Sequence, residues 1–257
     1  MKLEDSVETI RVQIFNACDK RLSQLGLLQN KQYDIAKVPQ ESQEERGRVD
    51  DILNNLIGEM GNYEAAREKL IDELSFTLFN RIAGVKVMEA HQLIPEVFSR
   101  RESHGGRSFG HKLWLEQNPE SGGLKLEGLR EYIRHAFDGL SENVQLYSPD
   151  YLYDMLPDVF DLNAIIEEFN RVEEDDWKSD DVMGWMYEYY NRKKRESFKA
   201  GGEKIEYQWV SLTSQIYTPR WVVEFILNNS LGKLWMEMHP ESDLKKKSRY
   251  CKCPGKT

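Results

Sequence analysis

The sequence predicts a mainly α protein built from several helices, and three observations carry that expectation. Apolar residues recur at steps of three and four through much of the chain, the spacing that forms one face of a 3.6-residue helix. A balance of 40% apolar and 31% charged residues over 257 positions belongs to a folded chain with material for a core. Near the C-terminal end, Thr218-Pro219 marks a helix start ahead of a further apolar-periodic run.

The elements follow in order. Residues 3–29 set Val7, Ile10, Ile14, Leu22 and Leu25 among charges, as in an amphipathic helix. Residues 37–60 are strongly polar, and Leu53, Leu56 and Ile57 mark a second helix toward their end. From about Tyr63 to His91 the positions Ile71, Leu74, Leu78, Ile82, Val85 and Met88 give a long helix with one wide apolar face. Pro95 breaks the pattern. Residues 99–123, rich in Gly, Ser and charge, read as a long loop of the kind that often carries function.

Helical spacing resumes at 124–139 through Leu126, Leu129, Ile133 and Phe137, and again near 149–171. The acidic run 172–181 reads as a linker or turn. Val182–Arg195 is a helix with Met183, Met186, Tyr187 and Tyr190 on one side, and Gly201-Gly202 punctuates before a last helix near 219–236. The expected division is a helical domain over 1–200 and a second segment over 201–257.

Charge and composition exclude several classes. A net charge of −9 argues against coating nucleic acid nonspecifically, which needs clustered Lys and Arg, yet leaves room for a local basic patch. No run reaches the roughly eighteen apolar residues of a membrane span. The opening MKLEDSVETI lacks the basic-then-apolar order of a signal peptide. Cys18, Cys251 and Cys253 form no disulfide framework, so a reducing cytoplasm is the expected compartment. Cys251-x-Cys253 has no second pair to complete a metal site, and the histidines form no ligand pattern, so no metal is expected. Gly105 and Gly110 have phosphate-loop spacing, but His111-Lys112-Leu113 stands where Gly-Lys-Ser/Thr is required.

Two places remain for chemistry. Arg100, Arg101, Arg107 and Lys112, against the single acid Glu102, suit contacts to DNA phosphates; a solvated surface is the bland alternative. The helix start at Thr218-Pro219 offers unpaired backbone N–H groups and a partial positive charge, which favour a carboxylate or phosphate. A capped core helix is the competing reading there.

Resemblance then adds to these residues. Gln215-Ile216-Tyr217-Thr218-Pro219 with Trp221-Val222-Val223 resembles the Q-x-Y-T-P-x-x-[IV]-[IV] segment, called motif X, of DNA adenine-N6 methyltransferases. Asp181 to Tyr190 resembles the D-x-L-G-x-x-Y-E helix that precedes it in restriction–modification methylases. Leu78-Phe79-Asn80-Arg81-Ile82-Ala83, Val87-Met88-Glu89 and Leu93-Ile94-Pro95 resemble the F-N-R, M-E and L-P segments of large methylases from fused restriction–modification and phage-exclusion (BREX, PglX-like) systems.

The resemblance implies S-adenosylmethionine as cofactor, with Tyr217, Thr218 and Pro219 at its pocket, and duplex DNA as substrate. It also implies a Rossmann-like catalytic domain after the helical one. The family's glycine-rich cofactor signature and its Asn-Pro-Pro-Tyr are absent here, and Asn118-Pro119-Glu120-Ser121 is no match for the latter. Those groups hold donor and adenine in register. The expectation is therefore an inactive N-terminal fragment, truncated after motif X, with no catalytic residue of its own. The alternatives are the N-terminal domain of a Type I modification subunit, or a helical module recruiting a nuclease or other defence subunit.

Overall fold

A computed structural model describes residues 2–201 and 217–249. It is mainly helical, as the spacing predicts. The chain divides into two compact units, 1–190 and 191–257. In the first unit the main helices are α1 (Leu3–Gln24), α2 (Gln43–Met60) and α3 (Tyr63–Ala90), then α4 (Phe109–Gln117), α5 (Leu129–Ser141), α6 (Val159–Arg171) and the short α7 (Glu174–Trp177). Helix α8 (Val182–Gly201) begins in that unit. A two-stranded hairpin, β1 (Arg100–Arg101) and β2 (Arg107–Ser108), precedes α4. Among the described residues no helix is long and apolar enough to cross a membrane, and no cluster of His, Cys, Asp or Glu could hold a metal ion.

Helix α3 is the axis of the unit, packed by α1, α2 and α6. The sequence pattern suggests one apolar face, but the structure buries fifteen of its residues, Arg67, Ser75, Thr77, Arg81, Lys86 and Glu89 among them. A helix surrounded on several sides must bury polar positions too, and the four charged ones survive by being hydrogen-bonded. Asn62 caps its first turn, accepting from the Ala65 N–H at 2.8 Å. Its last turn closes on Gln92 in the left-handed region, with the Leu93 N–H reaching the Met88 carbonyl and Gln92 N–H that of Glu89.

Three buried arginines satisfy carbonyls of the connections that cross them. Arg46 donates to the Leu25 and Tyr33 carbonyls, Arg67 to Leu27, and Arg81 to Leu146 and Ser148. Each loop thus folds onto a helix without orphaning those backbone oxygens. Cys18 lies in the same core, and burial pushes its thiol up to about 12; Cys251 and Cys253 lie outside the described residues.

The expected loop over 99–123 is not a loop. Register pairs Arg100 with Ser108 and Arg101 with Arg107 around Gly105 and Gly106, both with positive φ. Ser108 then caps α4, accepting from the His111 N–H at 3.2 Å. The nine-residue α4 is too short for its periodicity to stand out from the surrounding Gly, Ser and charge. His111 is buried: it stacks on Tyr132 at 4.8 Å, and its Nε2 is 2.9 Å from the Glu127 carbonyl.

Burial lowers the His111 pKa, only partly opposed by that hydrogen bond. Its folded value therefore lies below the unfolded one of about 6.5. The stability it contributes is present above about pH 6.5 and lost as pH falls through the folded value. Between about pH 7.5 and 5.5, wild type should lose more stability than His111→Phe, measured by urea unfolding at each pH. Parallel pH profiles would rule this out.

The second unit contains α9 (Arg220–Asn229), α10 (Leu231–Met238) and the short α11 (Leu244–Lys247). The sequence suggests one helix over 219–236; the structure breaks it at Ser230, which has φ −115° and ψ −91°. Pro219 itself is extended, with ψ 138°, so it takes the cap position and Thr218 does not. A boundary shift of one residue is small, but it leaves no side-chain cap bond. Neither α9 nor α10 buries a residue among those described, and Trp221 is 59% and Leu231 66% exposed.

Candidate functional site

At the C-terminal end of α3 a polar knot fixes the chain that leads to the hairpin. The Glu89 carboxylate accepts from the Val97 N–H (2.6 Å), the Phe98 N–H (2.5 Å), the Ser99 N–H (3.1 Å) and the Ser99 hydroxyl (2.5 Å). One turn earlier, the Lys86 ammonium donates to Ser99 Oγ at 2.6 Å and to Asn170 Oδ1 at 2.9 Å, and lies 3.6 Å from Glu89. Asn170, on α6, in turn donates to the Phe98 carbonyl at 2.9 Å. Burial lowers the Lys86 pKa, with Glu89 opposing. The Lys86 ammonium stands 5.9 Å from the centre of the Trp177 ring, which stacks on Phe169 at 6.1 Å.

This knot lines a cavity of about 950 Å³. Five cationic side chains (Lys86, Arg100, Arg101, Arg171, Lys178) and four carboxylates (Glu89, Glu96, Glu167, Glu174) line it, so it is balanced where the whole chain is acidic. Arg100 holds Asn163 at 2.5 Å and Glu167 at 3.3 Å; Arg101 holds Glu96 at 2.7 Å; Lys178 holds Glu174 at 2.7 Å. The Glu174 carboxyl is held below the usual range, by its hydrogen bond with Lys178 first and more weakly by the charges of Arg101 and Lys86.

Of the residues suited to phosphate contact, the structure brings Arg100 and Arg101 to this cavity. Arg107 lies outside its lining, in a two-pronged pair with Glu127 that raises the Arg107 pKa and lowers that of Glu127. Lys112 is on α4, and its side chain makes no hydrogen bond or ion pair among the described residues. The three arginines therefore already hold carboxylates or amides of this chain, and an incoming phosphate must displace them.

Tyr217, Thr218 and Pro219 are exposed ahead of α9. The Pro219 carbonyl accepts from the Val222 N–H at 2.9 Å and the Val223 N–H at 3.3 Å, so the helix is under way by residue 220. Gln215 and Ile216, the first half of the motif, lie outside the described residues. Of the upstream motif residues, Phe79 is a core side chain against Phe169 and Tyr190, and Arg81 and Glu89 are the buried anchors above.

No protein-family model matches the chain. Two relatives do: BrxX of Escherichia coli O9:H4 (strain HS), 24% identical over 273 aligned positions, and PglX of Lacticaseibacillus casei (strain Zhang), 24% identical over 214. Both are named adenine-specific methyltransferases. The similarity covers 91% and 68% of this chain respectively. The chain spans 22% of the length of BrxX and 17% of PglX, about a fifth. The resemblance suggested by the three motif segments is thus matched by homologues of that same type.

The cavity itself was not legible. Lys86, Asn170, Trp177 and Glu174 come from three helices, and only the placement of Trp177 in an acidic run sets any of them apart in sequence.

Proposed function

We propose that this chain is the helical N-terminal part of an S-adenosylmethionine-dependent DNA adenine-N6 methyltransferase acting in phage defence or restriction–modification. The observation that carries the reading is the order of the three motif segments along a chain whose similarity to BrxX covers 91% of its length. The helical unit supports and orients; methyl transfer belongs to a Rossmann-like domain bearing the glycine-rich and Asn-Pro-Pro-Tyr segments that this stretch lacks. The exposed apolar side chains of α9 and α10 suit a surface that such a domain covers.

The cofactor supplies the activated methyl group when bound. Here only one end of it finds a fit. The start of the ten-residue α9, with its partial positive charge, suits its carboxylate, with Thr218 and Tyr217 just ahead in the chain. One helix terminus supplies only part of a pocket, so the chain alone should bind it weakly and transfer no methyl group.

The experiment has two arms. The 257-residue chain incubated with labelled cofactor and DNA should incorporate no methyl group at adenine. In a complete protein containing this chain, changing Arg100, Arg101 and Arg107 together to Ala should flatten the slope of log affinity against log salt by up to about three units, alike for cognate and noncognate DNA. An unchanged slope would show that those arginines serve their internal carboxylates alone. A loss confined to cognate DNA would mean that they read bases.

A further inference from the structure

Trp177 is 2% exposed, yet its indole N–H has no hydrogen-bond acceptor among the described residues; the buried His104 Nδ1 is likewise without a partner. Both side chains line the cavity at the end of α3. An unpaired buried donor is costly, so folded proteins keep few of them. Asn170, Ser99, Lys86 and Glu89 saturate one another, which makes a fixed polar floor and leaves the tryptophan and histidine atoms as unused valences. One wall is apolar and open: Phe109 is half-exposed, 5.5 Å from the His104 ring, and Leu93 is 71% exposed. The lining also carries Arg101, Arg171 and Lys178, with Lys178 2.7 Å from Glu174 and Arg101 2.7 Å from Glu96.

We propose that this cavity binds a nucleotide, its base lying against Phe109 and Leu93 and accepting from the Trp177 N–H, its phosphate at the rim of Arg101, Arg171 and Lys178. The chemistry selects this class over its neighbours. An apolar ligand would leave the Trp177 and His104 atoms unpaired. A bare polyanion gains little from a lining whose cations are nearly matched by carboxylates. A nucleotide offers a planar apolar face, ring acceptors and one compact anionic group, and every base has a π-face to stack. A cavity of about 950 Å³ suits a ligand of that size.

The same chemistry comes from two sources, a free mononucleotide or an unpaired nucleotide within a single DNA strand. The inference does not rest on the methyltransferase reading, and its test needs neither methyl donor nor catalytic domain.

The 257-residue chain is titrated by calorimetry with adenosine monophosphate, adenosine, inorganic phosphate and a short single-stranded oligodeoxyadenylate. Saturable binding of the monophosphate is expected, with adenosine and phosphate each about tenfold weaker or worse. Trp177→Phe removes the N–H and keeps an aromatic ring; Phe109→Ala removes the stacking face at a partly exposed position. Each should weaken binding about tenfold, with circular dichroism unchanged. Competition by the oligonucleotide at lower concentration than the monophosphate assigns the strand as the source; binding of the monophosphate alone assigns the free nucleotide. No saturation by either at millimolar concentration overturns the proposal. So does phosphate binding as well as the monophosphate, or undiminished binding in both variants.

Discussion

Replacing Asp154 by Ala is expected to destabilise the first unit by about 3–5 kcal/mol, the range for removing one partner of a buried ion pair. Arg81 is among the most deeply buried side chains and meets the Asp154 carboxylate at 2.5 Å. Arg134 approaches the same carboxylate at 2.7 Å from α5. Without Asp154, the Arg81 guanidinium keeps the Leu146 and Ser148 carbonyls but loses its counter-charge in a site closed to water. Arg134 can turn toward solvent; Arg81 cannot. In a unit of this size each kcal/mol moves Tm by about 2–4 °C, so the midpoint should fall by roughly 6–20 °C. Urea denaturation measures the free energy directly. A double change, Arg81→Met with Asp154→Leu, should cost clearly less than the sum of the single changes, because the uncompensated charge goes with its partner. A single-change loss below about 1 kcal/mol would mean that water or relaxation reaches Arg81.

That network also shows where sequence reading stops. Apolar spacing places α1, α3, α5, α6 and α8 because burying an apolar stripe contributes most to folding and leaves its period in the sequence. It says nothing of Arg46, Arg67, Arg81, Lys86 or Glu89, since a charge on a helix reads as a solvated face until the crossing chain is known. The hairpin and α4 escape the pattern for a related reason: they are held by Ser108, His111 and a glycine turn, not by a periodic face. Homology partly repairs this, for the F-N-R and M-E segments contain Arg81 and Glu89. The motif match says that those residues matter, and the hydrogen bonds say how: both bind connecting backbone. At the candidate sites, the clustering of Arg100 with Arg101 is readable because they are adjacent. The carboxylates that already hold them, Glu96 and Glu167, are not adjacent in any readable pattern.

Glu89→Ala is the second change with a large expected effect, again about 3–5 kcal/mol. It strips acceptors from three backbone N–H groups and the Ser99 hydroxyl at once, and leaves the Lys86 ammonium to Ser99 and Asn170 alone. Two causes are then mixed, orphaned donors and an uncompensated charge, and pH separates them. Burial already lowers the Lys86 pKa, with Glu89 opposing; removing Glu89 lowers it further. A lysine whose folded pKa lies below its unfolded value of about 10.4 contributes stability that is complete above about 10.4 and lost as pH falls through the folded value. The cost of Glu89→Ala should therefore shrink as pH rises from about 7 toward 10, the part that remains being the orphaned N–H groups. In a Lys86→Met background the same change should cost less at neutral pH, and its pH dependence should vanish. Hydrogen exchange over 97–101 reports the backbone part separately, since those amides lose protection whatever the charge on Lys86. A cost that is flat with pH and equal in both backgrounds would show that Glu89 acts on the backbone only, with Lys86 held by Ser99 and Asn170 independently of it.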